Sequence, residues 1–424
     1  MHGLSATKTV VTLLLTLVVG IASIAAIART GDEAGRLRPL QPLIDDAAPG
    51  ATIDLEPGIY RGGVVIDKPL TLDGHGQAII DGQGEGSVIV LKANGAKLRN
   101  LRLVNSGGLH NELDSGVQVR GMFNTIENNV IKNCLFGVDL QKSKYNTVRG
   151  NHIGSKPVSL GRRGDAVRLW YSFNNTIEDN VIEDSRDFVV WYSKDNTIKN
   201  NTVRDGRYGL HFMYSETNEV LGNRYENNSV GIFLMYSDGV VVKNNYIAHS
   251  VGATGIGIGF KETSDVVIEG NEILHNGRGL YLDVSPYQPD STNRIQENVI
   301  AYNGIGVLFH NDWKGNLVKR NGFKGNITQV AVNGGGGANR NEWMRNHWSD
   351  YEGFDRDRDG IGDTPYELYS YADRIWMDVP GARFFKGSPV LEVLDFLERL
   401  APFTPAQLVL RDPKPLMSAA EVEQ

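Results

Sequence analysis

Three side chains in this sequence carry soft donor atoms at a spacing that could hold one metal ion. Gly209-Leu210-His211-Phe212-Met213 puts an imidazole and a thioether two residues apart. Met235 follows Met213 by 22 residues in the matching phrase Gly231-Ile232-Phe233-Leu234-Met235. In an extended strand, residues two apart share a face at roughly 6.6 Å, and the next strand is about 4.8 Å away. Side chains of this length can converge on one ion, and thioether sulfur with imidazole nitrogen suits Cu(I) and is poor for Mg2+ or Ca2+. The bland alternative is that they only cover a sheet or meet a partner. A weaker pair is His249 and His275, each four residues after an asparagine that closes a repeat. Stacked turn histidines are as often surface residues as ligands.

Hard donors lie elsewhere. Phe354-Asp-Arg-Asp-Arg-Asp-Gly-Ile-Gly-Asp-Thr-Pro-Tyr366 places Asp355, Asp357, Asp359, Gly360 and Asp363 at positions 1, 3, 5, 6 and 9 of a Ca2+-loop pattern. Alternating carboxylates converge on a hard cation, and the glycine permits the sharp turn. Position 12 is Tyr366, with Glu367 one place late. Bound Ca2+ therefore competes with a self-bonded turn that only shapes the C-terminal end.

These donors need a scaffold, and a repeat supplies it. The phrase Asn-x-[Ile/Val]-x-x-Asn recurs from Asn124 onwards. Its closing residues are Asn129, Asn151, Asn180, Asn201, Asn223, Asn245, Asn271, Asn298, Asn321 and Asn346, 21 to 29 residues apart. A period near 22 with short alternating apolar runs after turn glycines is that of a solenoid with one repeat per turn. The expected fold is all-β, a single right-handed parallel β-helix with an N-terminal cap and a C-terminal loop and helix extension. The expected divisions are 1–28 a signal peptide, 29–62 the N-terminal cap and first coil, and 63–346 the β-helix. Residues 347–410 form a C-terminal cap with the Asp-rich loop and an amphipathic helix, and 411–424 a disordered tail.

Alternation then separates core from surface. Val138/Leu140, Val167/Leu169, Phe188/Val190, Leu210/Phe212 and Ile232/Leu234 form a uniformly apolar face. The opposite face reads Asp139/Gln141, Arg168/Trp170, Val189/Trp191, His211/Met213 and Phe233/Met235. Its Asp and Arg mark it as outer, so Trp170, Trp191, Met213 and Met235 should stack as an external column. An exposed apolar strip signals an interaction site. A protein partner could anchor on Trp170, Trp191 and Phe233, sugar rings could stack on the indoles, or the lower half could hold a soft metal.

Bulk properties narrow the classes. Across 424 residues the net charge is −7, and no Arg/Lys cluster offers a basic face, which argues against nucleic acid. Lys8, an apolar stretch and Ala26-Ile27-Ala28 have the form of an export signal, with a retained membrane anchor as the alternative. Cys134 is the only cysteine, so there is no intrachain disulfide. It reads as a buried filler.

His347-Trp-Ser-Asp-Tyr-Glu-Gly-Phe354 running into the Asp-rich loop, after an exported Asn-rich β-helix, resembles the NosD family of nitrous oxide reductase maturation proteins. The resemblance spans nearly the whole mature chain; the 347–368 block carries more of it than the repeats, which many β-helices share. It implies a periplasmic, non-enzymatic accessory protein for the copper–sulfur centre, handling Cu(I) transiently or sulfur. It further implies an ABC-type ATPase/permease pair, a copper-chaperone lipoprotein and apo nitrous oxide reductase as partners. The amphipathic stretch Val390–Leu400, with Leu391, Leu394 and Phe396, could then dock on the permease as well as cap the solenoid. The rival is a carbohydrate-binding or carbohydrate-active β-helix, a lyase, hydrolase or epimerase. Hydrolysis needs paired carboxylates, and the outer columns offer Asp139 and, several coils away, Asp283, with no stacked acidic pair between them. Asp165 beside Arg162 and Arg163 is a possible site, though such loop residues are more often structural.

Overall fold

The computed structural model describes residues 37–370, 388–389, 393, 396–397 and 407–419. Among these, three parallel sheets of 13, 13 and 12 strands run along the molecule, each coil giving one strand to each sheet. The first sheet runs from Thr52–Asp54 to Glu342–Met344 and the second from Gly58–Arg61 to His347–Trp348. The third runs from Val64–Ile66 to Thr328–Val332. This is a single parallel β-helix. No described helix is long and apolar enough to cross a membrane.

The repeat phrase explains how the coil turns. The residue before each closing asparagine has a positive φ, 55° at Asn128, 62° at Gly150, 55° at Asp179 and 54° at Asn200. Gly, Asn and Asp tolerate that left-handed backbone best. The closing asparagine then points inward. From Asn129 to Asn346 the amide of each donates to the side-chain oxygen of the next at 2.9 or 3.0 Å. Buried polar groups must be paired, and identical residues at one turn pair each other. The serine of each Tyr-Ser phrase does similar work. The backbone N–H of Ser172 donates to Ser193 Oγ (3.0 Å), that of Ser193 to Ser215 Oγ (3.2 Å) and that of Ser215 to Ser237 Oγ (3.1 Å).

The ten residues assigned to the core face from alternation are fully buried. Trp170, Trp191, Met213 and Met235 lie in one column as successive strand partners, on the outer side. The second outer column differs from expectation. Asp139 is completely buried, and Arg168, His211 and Phe233 are nearly so. Asp139 is clamped by Arg168 and Arg120, each at 2.8 Å. The loop before Ser115 folds onto this face through Gln118, whose amide reaches the carbonyls of Glu112 and Leu113.

Both ends are closed, as open sheet ends must be to avoid edge pairing. At the start, the short helix Gln41–Asp46 buries Ile44. The Gln41 amide takes both the N–H (2.8 Å) and the C=O (3.1 Å) of Val65. At the far end the expected arrangement is corrected. Residues 411–424 were expected to be a disordered tail, yet Gln407–Asp412 is a strand paired antiparallel with Tyr366–Ser370. Asp412 and Leu416 are buried against the last coil. That hairpin closes the solenoid. The stretch expected to cap it as an amphipathic helix does not do so through its described residues: Val393, Phe396 and Leu397 are 56%, 60% and 49% exposed. Leu391 and Leu394 lie outside the described residues, as does the segment 1–28.

Candidate metal and docking site on the third sheet

The register Leu210↔Ile232, His211↔Phe233 and Met213↔Met235 on the third sheet places Met213 two residues from His211 on one strand and Met235 beside Met213 on the next. The imidazole is 8% exposed. Tyr208 stacks on it at 4.7 Å between ring centroids, Trp191 meets it edge-to-face at 6.0 Å, and Phe233 stands at 6.4 Å. Neither Nδ1 nor Nε2 has a hydrogen-bond partner, although both are buried. A buried imidazole normally has at least one partner, so these two orphaned atoms are the local anomaly. Burial holds the pKa down to about 4, Asp187 opposing and Arg207 adding to the effect. The ring is therefore neutral at pH 7, the form in which it can ligate a metal. Met213 and Met235 are half-buried on the solvent side, flexible enough to turn sulfur towards an entering ion. The donor set fits a soft monovalent ion.

The remaining expectations divide. Trp170 and Trp191 contact each other at 5.8 Å in the outer column, and the Arg168 guanidinium lies 4.7 Å over Trp170. Phe233 is corrected as an exposed anchor. It is 9% exposed, packed with Val230, Ile256, Tyr208, Met235 and Tyr281, and its ring occupies the space a side chain on Gly259 would need. His249 and His275 stack with planes 5° apart at 5.3 Å, and Tyr302 continues the stack at 5.2 Å. Parallel rings send their nitrogens side by side instead of towards one point. That expected metal pair is an aromatic ladder.

A second such ladder escaped the sequence reading. Tyr171, Tyr192, Tyr214 and Tyr236, the tyrosines of the Tyr-Ser phrases, stack at 5.0, 5.2 and 4.8 Å. All four have φ of 49° to 51°. The signal was present, since a residue repeating at one turn must stack on its copies. Bulky residues at positive φ were not anticipated because isolated ones are disfavoured.

In the acidic loop Asp355, Asp357 and Asp359 bring one oxygen each within 4.8 Å of the others. Asp363 does not join them; it accepts from the Arg356 N–H at 2.8 Å. Asp355 accepts the N–H groups of Arg358, Asp359 and Gly360. Burial works against its ionisation, but those N–H groups outweigh it and its pKa is lowered. Asp357 is raised, chiefly by the Asp359 charge. The loop also holds the cap: Gly362 N–H donates to Pro415 and Met417 N–H to Gly360. Cys134 is fully buried, and desolvation pushes its thiol up to about 11, which makes it an inert filler.

A family model described as periplasmic copper-binding protein (NosD) matches residues 154–353. A Pseudomonas aeruginosa protein named probable ABC transporter binding protein NosD is 32% identical over 392 residues, covering 87% of this chain and 89% of that one. Its counterpart in Stutzerimonas stutzeri is 29% identical over 384 residues, covering 86% of each. The chain belongs to the NosD family. Among solved structures, the A-module of Azotobacter vinelandii mannuronan C-5 epimerase AlgE4 superposes with a TM-score of 0.57 at 19% identity, over 70% of this chain and 93% of that one. The AlgE6 A-module gives 0.56 at 21%, over 69% and 90%. Identities this low concern the fold alone. The NosD model match contains His211, Met213 and Met235 and ends before the acidic loop. The Trp-Ser-Asp-Tyr block that carried the NosD resemblance proves structural. Trp348 stacks between Phe323 (4.3 Å) and Tyr366 (4.4 Å), and Asp350 accepts from the Tyr366 hydroxyl at 3.0 Å.

Proposed function

We propose that this NosD-family chain is an exported, periplasmic copper-handling protein that takes Cu(I) at His211, Met213 and Met235. It would pass copper on as the binding subunit of an ABC-type transporter complex. The reading extends to maturation of the copper–sulfur centre of nitrous oxide reductase, with an ATPase/permease pair, a copper-chaperone lipoprotein and the apo reductase as partners. One observation carries the site: both nitrogens of a buried, neutral imidazole lack partners, on a strand face that also carries Met213, with Met235 its partner on the next strand. The family description and the relatives' names support the wider role. Segment 1–28 is taken as the export signal.

An anaerobic competition titration with a chromogenic Cu(I) chelator tests the site on the mature chain. One equivalent is expected to bind. His211→Ala, and Met213→Leu with Met235→Leu, should each weaken it at least about tenfold while the fold melts as before. Unchanged affinity in both variants would remove the site.

The acid pair beside the third sheet that the carbohydrate-active alternative would draw on is buried. Asp165 and Asp187 are neighbours but only 2% and 3% exposed, held by Arg186 at 2.8 Å and by Arg207. Asp355, Asp357 and Asp359 are kept as a candidate Ca2+ site in the C-terminal cap. Calcium should then raise the melting temperature of chelator-treated protein; no shift would leave only the hydrogen-bonded turn.

A further inference from the structure

The outer column contains two indoles with different surroundings. Trp170 already has a cation, the Arg168 guanidinium 4.7 Å above its ring. Among the described residues no cation lies over Trp191. Yet Trp191 is the strand neighbour of Met213 and touches the ring of His211 at 6.0 Å and 89°. It therefore borders two of the three soft donors. Its Nε1 is buried and has no acceptor, so the indole is not held in place by a hydrogen bond. Besides His211, it packs against Trp170, 5.8 Å away at 63°.

An indole beside a soft cation site has a specific use. The π face of tryptophan attracts a cation more strongly than that of tyrosine or phenylalanine, and the attraction grows when the site is desolvated. Imidazole and two thioethers leave a Cu(I) ion unsaturated on one side, open to water and oxidants. A π face can cover that side without forming a fourth bond, so the ion stays exchangeable. A divalent ion gains less, because it prefers oxygen or nitrogen donors to thioethers and holds its water more tightly.

Resting on the Cu(I) reading above, we propose that Trp191 closes the His211–Met213–Met235 site by laying its indole over the bound monovalent ion. It acts as a selecting and shielding residue, and Trp170 is the brace behind it. On this account Trp191 belongs to the metal site, and the docking surface in this column is reduced to Trp170 and the tyrosine ladder.

The test uses the full mature chain without oxygen, with Cu(I) and with Ag(I) as a redox-inert ion of the same charge. Fluorescence is followed together with affinity from chelator competition. One equivalent of either ion should quench part of the emission of the six tryptophans. Trp191→Leu should abolish that quench and bind one equivalent about tenfold more weakly. Trp191→Phe should fall between, and Trp170→Leu should keep the quench. Melting temperatures confirm that each variant is folded. If Trp191→Leu binds as tightly as the parent, or is quenched as strongly, the indole is not over the ion and the proposal falls. If the parent takes up neither ion, or if the His211→Ala and Met213→Leu variants bind as well as it does, the metal reading itself falls, and Trp191's part with it.

Discussion

Burial acts in opposite senses on two ionisable groups, His211 in the third sheet and Asp165 just before one of its strands. It pushes His211 down to about 4 and, against the pull of Arg186, pushes Asp165 up to about 6. Each is thereby held in its neutral form further into the physiological range than in water. The Asp165 shift has a consequence for stability. The folded carboxyl keeps its proton up to about pH 6, whereas an unfolded aspartate loses it near 4. Between those values the folded carboxyl binds its proton more fully, so its own contribution to stability should fall as pH rises through the window. His211 contributes a rise there, because its folded pKa lies below the unfolded one. Asp165→Asn is expected to remove the falling contribution and leave a more positive slope than the parent's. Thermal melts of parent and variant between about pH 4 and 6 measure it, and identical slopes would assign the effect to another group.

Strands here are too short to be stable alone, and what fixes them is the row of identical residues at each turn. An asparagine ladder needs something to accept its last amide. Asp412, on the strand Gln407–Asp412, fills that place: it accepts from the N–H and side chain of Asn346 at 2.9 Å each, from Arg345 N–H at 3.1 Å and from Trp348 Nε1 at 3.3 Å. The position calls for a residue that only accepts, since no further rung exists to take a donated hydrogen. Aspartate, when ionised, is such a residue. Asp412→Ala should leave several buried donors unpaired, costing about 3 kcal/mol. The expected outcome is an earlier melting of the C-terminal coils and faster proteolysis there. Asp412→Asn, which keeps one accepting oxygen, should recover part of the loss. Equal protease resistance in all three proteins would show that the hairpin is held by its apolar contacts alone.

The described residues form a one-dimensional stack with two dissimilar ends, and the proposed copper site lies on one flank of it. The sequence determined the stack, because a 22-residue period, alternation and turn-forming asparagines are local properties that every coil repeats. Leu210 and Phe212 inward, Met213 and Met235 outward, could be read from parity alone. The acidic loop was also visible in order, though not the exclusion of Asp363. Tertiary structure decided three matters. Phe233 and His211 are outward by parity yet covered, because a side chain's exposure depends on what neighbouring coils lay across it, here Tyr208, Met235 and Tyr281. His249 and His275 became a ladder instead of a ligand pair, because equal turns place equal rings parallel. Residues 411–419 became part of a cap, because Asp412 lies 66 residues from the asparagine it completes. No local pattern encodes a contact whose partner is chosen only when the last coil is in place.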